Sequence, residues 1–261
     1  MKIVYSFICF FFALPLIAQV NTEIFRKSNQ PNGFDGTIAL SSQLNSGNSN
    51  FVNLRSTIRF DFTSDINNTF LVSNYERVSG NNALVSNRGF AHLRTSFPVS
   101  SFFDAEAFVQ KEFNDFILLK DRQLYGLSGR FCLFNHRSDS ISSKTESISR
   151  GNLYIGQGAF YEKEFIDVEI DTLTKIFRST TSLTSTIQLK EYIQFSVSSY
   201  FQFDVKRFSD YRILLNSSLQ FELLKNLNFI VGVLYRYDNE PPSRSLRPFD
   251  FSLTNGISYS F

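Results

Sequence analysis

The sequence predicts an all-β protein: a single antiparallel up-and-down transmembrane β-barrel of about twelve strands, with both termini on the periplasmic side. Three observations carry this expectation. The C-terminal run Phe249-Asp-Phe-Ser-Leu-Thr-Asn-Gly-Ile-Ser-Tyr-Ser-Phe261 alternates apolar with polar or small residues, so that on a strand its Phe, Leu, Ile and Tyr side chains share one face. The same period-two pattern recurs along the chain in segments of about 11 to 14 residues, longer than the roughly five or six usual in globular sheets and suited to tilted spanning strands. The N-terminus reads as an export signal.

Taken in order, the elements begin with that signal. Met1-Lys2 is a short positive n-region, Ile3 to Ile17 is an apolar core interrupted by Ser6, and Leu16-Ile17-Ala18 is the expected cleavage site. This predicts a signal peptide over 1–18, a periplasmic N-terminal segment over 19–32 starting at Gln19, and a barrel over 33–261 in the bacterial outer membrane. Strands are expected near 33–45, 50–62, 69–79, 87–97, 101–113, 121–134, 151–165, 176–189, 191–205, 210–223, 227–238 and 249–261. Val52 to Phe62 is the clearest, with Arg55, Arg59 and Asp61 alternating against Leu54, Ile58 and Phe60; 193–205 and 211–223 repeat it. Segments 69–79 and 151–165 are ambiguous because charged and apolar residues fall on both faces. Residues 63–68, 98–100, 190 and 224–226 read as short periplasmic turns. Residues 80–86, 114–120, 166–175 and 239–248 read as external loops, and the long Ser-rich stretch 136–150 departs from the pattern on the periplasmic side.

Composition narrows the classes. The 261 residues include 31 Phe and 11 Tyr but no Trp, and the net charge is +2, without the clustered basic excess of a nucleic-acid binder. Past the leader, Cys132 is the one cysteine, so no internal disulfide is expected. Beyond the leader no stretch approaches the roughly 18 apolar residues of a membrane helix, and a chain that spans by strands must close them to satisfy its backbone groups.

A series of short motifs resembles a known family. Ser46-Gly47-Asn48-Ser49-Asn50 before an amphipathic strand, Asn87-Arg88, Phe108-Val-Gln-Lys-Glu-Phe-Asn-Asp-Phe116, Leu119-Lys-Asp-Arg122 leading to Gly126-Leu-Ser-Gly129, Asp210-Tyr-Arg212 and Tyr237-Asp-Asn-Glu-Pro-Pro242 occur in the order seen in the YdiY-like outer-membrane family. The resemblance covers nearly the whole chain after the leader. It implies an outer-membrane barrel, sometimes described as salt-induced, with no established activity and no catalytic or binding residues to carry over.

The residues themselves point to the barrel interior. Arg55, Arg59, Asp61, Asp104, Glu106, Glu112, Arg122, Arg130, Arg178, Asp204, Arg212, Glu222, Arg236 and Asp250 fall on the polar faces of their strands. A charge facing lipid at mid-depth costs roughly 2–4 kcal/mol, so these belong in the lumen. Twelve strands at about 4.8 Å spacing and about 40° tilt close at a backbone diameter of roughly 24 Å, and inward side chains leave about 12 Å at most. The set therefore reads either as a salt-bridge network filling the barrel or as the lining of a narrow pore for small polar solutes. The alternative function is an outer-membrane hydrolase of lipase or protease type using His92, which shares its face with Arg88, Arg94 and Ser96. His136 reads as solvated, and neither histidine has a metal-ligand spacing, so no metal or cofactor is expected. Asp167, Glu169 and Asp171 form an acidic loop able to bridge to lipopolysaccharide through divalent cations. The partners expected are outer-membrane lipid, lipopolysaccharide and the barrel-assembly machinery, engaged through the last strand and Phe261, with no nucleic acid.

Overall fold

The computed structural model describes residues 22, 23, 26, 31–46, 50–80, 83–136, 151–167, 172–225, 227–241 and 247–259. Twelve strands form one sheet: β1 (Gly33–Asn45), β2 (Phe51–Thr63), β3 (Asn68–Gly80), β4 (Ala83–Ser100), β5 (Phe103–Asn114), β6 (Leu119–His136), β7 (Gly151–Ile166), β8 (Thr172–Lys190), β9 (Ile193–Asp204), β10 (Tyr211–Leu224), β11 (Leu227–Asp238) and β12 (Phe249–Tyr259). Each pairs antiparallel with its neighbours in chain order, which is the up-and-down meander expected from the alternation. Among the described residues β1 is laddered to β2 alone and β12 to β11 alone. The sheet is rolled, because interior side chains of β4 (Arg94), β6 (Leu124), β8 (Thr180) and β10 (Leu214) all border one small cavity.

Three expected loops are shorter than the sequence suggested, 114–120 among them, which reduces to 115–118. The stretch 80–86 reduces to residues 81–82, since Ala83 and Leu84 pair back onto Gly80 and Ser79 across a register shift. The stretch 166–175 likewise loses 172–175 to β8, which pairs with the end of β7. Polar residues near a rim do not break a strand while a neighbour supplies ladder hydrogen bonds, so side-chain polarity marks the water boundary rather than the strand end. Elsewhere the ladder shifts register near strand ends, as at Pro98/Ser100, where proline has no N–H to donate. The connection at 115–118 is a single 3₁₀ turn: the Asn114 side chain accepts from the Phe116 N–H, and Leu118 closes it at φ 61°. Phe261 and residues 137–150 lie outside the described residues.

Strand register settles which side chains face inward. Arg59 opposes Val72, Val72 opposes His92, His92 opposes Gln110 and Gln110 opposes Leu124, so one row of the inner wall crosses five strands. The intervening residues face out, and most are apolar: Ile38 and Leu40 on β1, Leu93 on β4, Leu127 on β6, Phe177 on β8, Leu253 on β12, all exposed. Buried apolar residues are few by contrast, Phe70, Val72, Phe160 and Leu214 among them, while the buried set is rich in Arg, Glu, Asp and Gln. A water-soluble fold buries apolar surface and exposes charge; this one inverts that order.

The outer wall is graded as well as apolar. Arg77, Lys111, Lys163 and Lys175 face outward, each three positions in from its strand end at Gly80, Asn114, Ile166 or Thr172. Tyr75, Tyr125 and Tyr161 lie farther in on the same face, and Leu, Ile and Phe dominate beyond them. A polar island at β7 and β8 interrupts this wall: Gln157 donates to Ser179 Oγ at 3.1 Å and accepts from Thr181 Oγ1 at 2.7 Å, so its amide is satisfied within the sheet.

Candidate functional site

The inward rows bring charged residues from distant strands into two clusters. The first centres on Glu162 of β7, 1% exposed, whose carboxylate faces three guanidinium groups: Arg178 at 2.5 Å, Arg212 at 2.7 Å and Arg122 at 3.0 Å. Arg122 also holds Glu112 at 2.6 Å and Glu164 at 2.7 Å. Arg212 reaches Asp238 at 2.9 Å and Glu164 at 3.3 Å. Arg178 forks onto the two oxygens of Asp210 at 2.9 and 3.0 Å, tying β8 to the 205–210 connection. These pairs cross from β5 to β11, so they brace the barrel across its section as well as along its wall. Taking such charges out of water is costly, and only this density of opposite charges and hydrogen bonds offsets it.

The second cluster lies nearer the end where the chain enters and involves residues before the first strand. Glu23 accepts from Arg94 of β4 at 2.6 Å and from Arg26 at 2.6 Å, and Arg130 of β6 stands 3.9 Å away. Arg26 donates to both carboxylate oxygens of Glu106 on β5, at 2.6 and 2.7 Å. Thr22 Oγ1 accepts from Arg94 at 2.7 Å. Burial pushes the Glu23 carboxyl up, but the facing guanidinium groups of Arg26 and Arg94 outweigh that and hold it well below the usual carboxylate range. A cavity of about 60 Å³, room for a few water molecules, lies against Glu23, Arg94 and His92.

All the inward residues expected from the sequence lie on this inner face by register. They are not one site. Glu112, Arg122, Arg178 and Arg212 build the first cluster, and Glu106 and Arg130 the second, with Asp104 at 3.9 Å from Arg130. Arg55 reaches Glu76 at 2.8 Å from a half-exposed position, and Arg59 holds Asp61 on its own strand at 2.6 Å. Asp204 caps the next connection, accepting from the Lys206 N–H at 2.9 Å. Arg236 is buried with Asp250 as its register partner, whereas Glu222 is exposed at the mouth.

Glu76, Glu162, Glu164, Arg94, Asp210 and Asp238 belong to the networks but are missing from the expected set. For Glu162 and Glu164 the alternation was present all along, because Tyr161, Lys163 and Phe165 face out between and around them; the outward lysine disguised it. Thr22, Glu23 and Arg26 carried no such signal, since a segment outside any strand has no period to read, and it was expected as a periplasmic stretch outside the barrel. His92 is 1% exposed in mid-strand. Its Nδ1 pairs with the Gln110 side-chain oxygen at 2.9 Å and its ring stacks on Phe108, so its partner is an amide and not a carboxylate or a nucleophile. Among the described residues no group of three or more His, Cys, Asp or Glu could hold a metal. Asp167 pairs with Lys120 at 2.9 Å; Glu169 and Asp171 lie outside the described residues, as does the side chain of His136.

A rolled up-and-down sheet with an apolar outer wall and a charged, ion-paired interior defines the protein class: an antiparallel β-barrel of inverted polarity. The chain belongs to the family described as "Protein of unknown function, DUF481", whose model matches residues 38–261, in keeping with the YdiY-like resemblance of its motifs. No curated protein matches it. A solved structure titled "NanC porin structure in rhombohedral crystal form" aligns over 80% of this chain and 94% of its own, with 8% sequence identity and a TM-score of 0.46, too distant to bear on function.

Proposed function

We propose that the protein is a non-enzymatic bacterial outer-membrane barrel whose interior is held closed by its own ion pairs. The observation that carries this is the hub at Glu162, where guanidinium groups from β6, β8 and β10 converge on one β7 carboxylate. The graded outer wall supports the membrane setting: aliphatic side chains in the middle, tyrosines beyond them, then a row of Lys111, Gln123, Lys163 and Lys175 joined by register. Cations at that depth suit the phosphates of lipid or lipopolysaccharide head groups, and the leader 1–18 and the last strand suit export and assembly. A second reading, a narrow pore for small polar solutes, is favoured by the cavity beside Glu23 and by the polar mouth lined by Gln194, Gln220 and Glu222. Single-channel current in a planar bilayer separates them, using protein beginning at Gln19 and folded as judged by heat-modifiable gel migration. A silent membrane is the expected result; discrete steps proportional to salt would replace the closed barrel with the pore.

A further inference from the structure

The inner wall around Glu23 has the form of a binding site already occupied by part of the chain. Three guanidinium groups converge on that one carboxylate: Arg26 and Arg94 at 2.6 Å and Arg130 at 3.9 Å. The remaining anions nearby are Glu106, paired with Arg26, and Asp104, 3.9 Å from Arg130. Among the described residues the group holds three cations and three anions with Glu23 in place; without it, three cations face two anions. A buried site with one unmatched positive charge attracts an anion strongly, because little solvent screens it. The wall beside it also has unused hydrogen-bonding capacity. His92 Nε2 and Arg94 Nε are buried without a partner, and both residues line the adjoining cavity. Orphaned polar atoms beside a converging set of guanidiniums are what a ligand-binding wall presents when its occupant fills only part of it.

We propose that Arg94 and Arg130, with Arg26, form a lumenal site for the carboxylate of a small solute, and that Glu23 is its tethered occupant. The proposal rests on the reading of this interior as a barrel lumen and names the chemistry it recognises. The ligand head is a planar carboxylate, because Glu23 supplies one and the guanidinium forks fit its two oxygens. Selection is by charge: an amide of the same shape cannot replace the missing negative charge. The arrangement is also self-competing. A side chain tethered next to its seat acts at an effective concentration of order millimolar or higher, so a free carboxylate must exceed that to displace it.

Propionate, the free form of the Glu side chain, is the probe, and propionamide is its neutral control. Protein from Gln19 carrying Glu23→Ala is folded into phosphatidylcholine vesicles and unfolded in urea at constant ionic strength. The expected result is a midpoint that rises with propionate, logarithmically once the site saturates, and does not move with propionamide. Wild-type protein is expected to shift far less, because Glu23 already holds the seat. An E23A midpoint that ignores propionate, or a wild-type shift as large as that of E23A, overturns the site. Should E23A fail to give the heat-modifiable form, Glu23→Gln takes its place with the same criteria. A nitroxide at Thr22→Cys in a Cys132→Ser background gives a second reading: propionate raised well above the millimolar effective concentration of the tethered Glu23 should mobilise it, and a spectrum unchanged there overturns the proposal. Current through the wild-type protein would overturn the closed barrel without touching this binding test, and failed propionate binding would leave the closed barrel standing.

Discussion

Replacing Arg178 by Met tests whether the interior network holds the barrel together. Arg178 is 0% exposed and makes four charge-assisted bonds through its side chain: one to Glu162 at 2.5 Å, two to the Asp210 carboxylate at 2.9 and 3.0 Å, and one to the Asp210 carbonyl at 3.3 Å. Bonds to charged groups contribute about 1.5–3 kcal/mol each, and removing one partner of a buried pair costs about 3–5 kcal/mol because the other charge is left uncompensated. Glu162 would keep Arg122 and Arg212, so its loss is partial. Among the described residues, Asp210 would keep only the half-exposed Arg207, at 3.4 Å, as an ion partner. The expected cost is therefore about 4 kcal/mol, close to a thousandfold in the folding equilibrium. Met fills much of the stem volume, so the change reports charge rather than a cavity. Urea unfolding in vesicles, followed by tyrosine fluorescence and gel migration, measures it. Adding Asp210→Asn should restore part of the loss, because one uncompensated carboxylate is removed with its partner. A single-variant cost below about 1 kcal/mol, the level of an exposed surface pair, would refute the network's structural role.

Other outcomes follow from the same geometry. Leu127→Arg, outward in the middle of β6, should destabilise the vesicle-folded barrel by about 2–4 kcal/mol, whereas Lys163→Leu near the rim should move it by less than about 1 kcal/mol; equal costs would deny the lipid-facing wall. Gly126→Ala should cost about 1–3 kcal/mol in urea unfolding, since a Cβ there would meet the Phe108 ring and come within 2.9 Å of Phe160 Cβ. Docking of the Glu23 segment should depend on acid in a stated direction. The Glu23 carboxyl is depressed in the folded protein, so its stabilisation is complete above the ordinary value of 4.5 and declines as pH falls below it. A nitroxide at Thr22→Cys should therefore stay immobile from neutral pH down to about 5 and loosen only in stronger acid; loosening at neutral pH would contradict it.

Period-two alternation made all twelve strands legible before any coordinate, because in a membrane barrel each strand contrasts lipid with lumen over its whole length. It made many inward residues legible for the same reason: Arg55, Arg178 and Arg212 sit beside Leu54, Phe177 and Ile213 on their own strands. The alternation is weaker where the outer wall carries charge. Arg77 and Lys163 face out near the rim, and they blurred the alternation that would have shown Glu76, Glu162 and Glu164 as inward.

Periodicity along single strands thus determined strand number, antiparallel class and the facing of most side chains, since these depend on neighbours one or two residues away. Which charges meet was decided only by the tertiary structure. Register brings Glu162 beneath Arg178 and Arg212 from strands 16 and 50 residues later in the chain. The return of Glu23 and Arg26 into the interior, onto residues 71 and 80 positions downstream, has no local pattern at all. Charge pairing in a low-dielectric interior acts through space over a few ångströms, and only the rolled sheet decides which residues come within that distance.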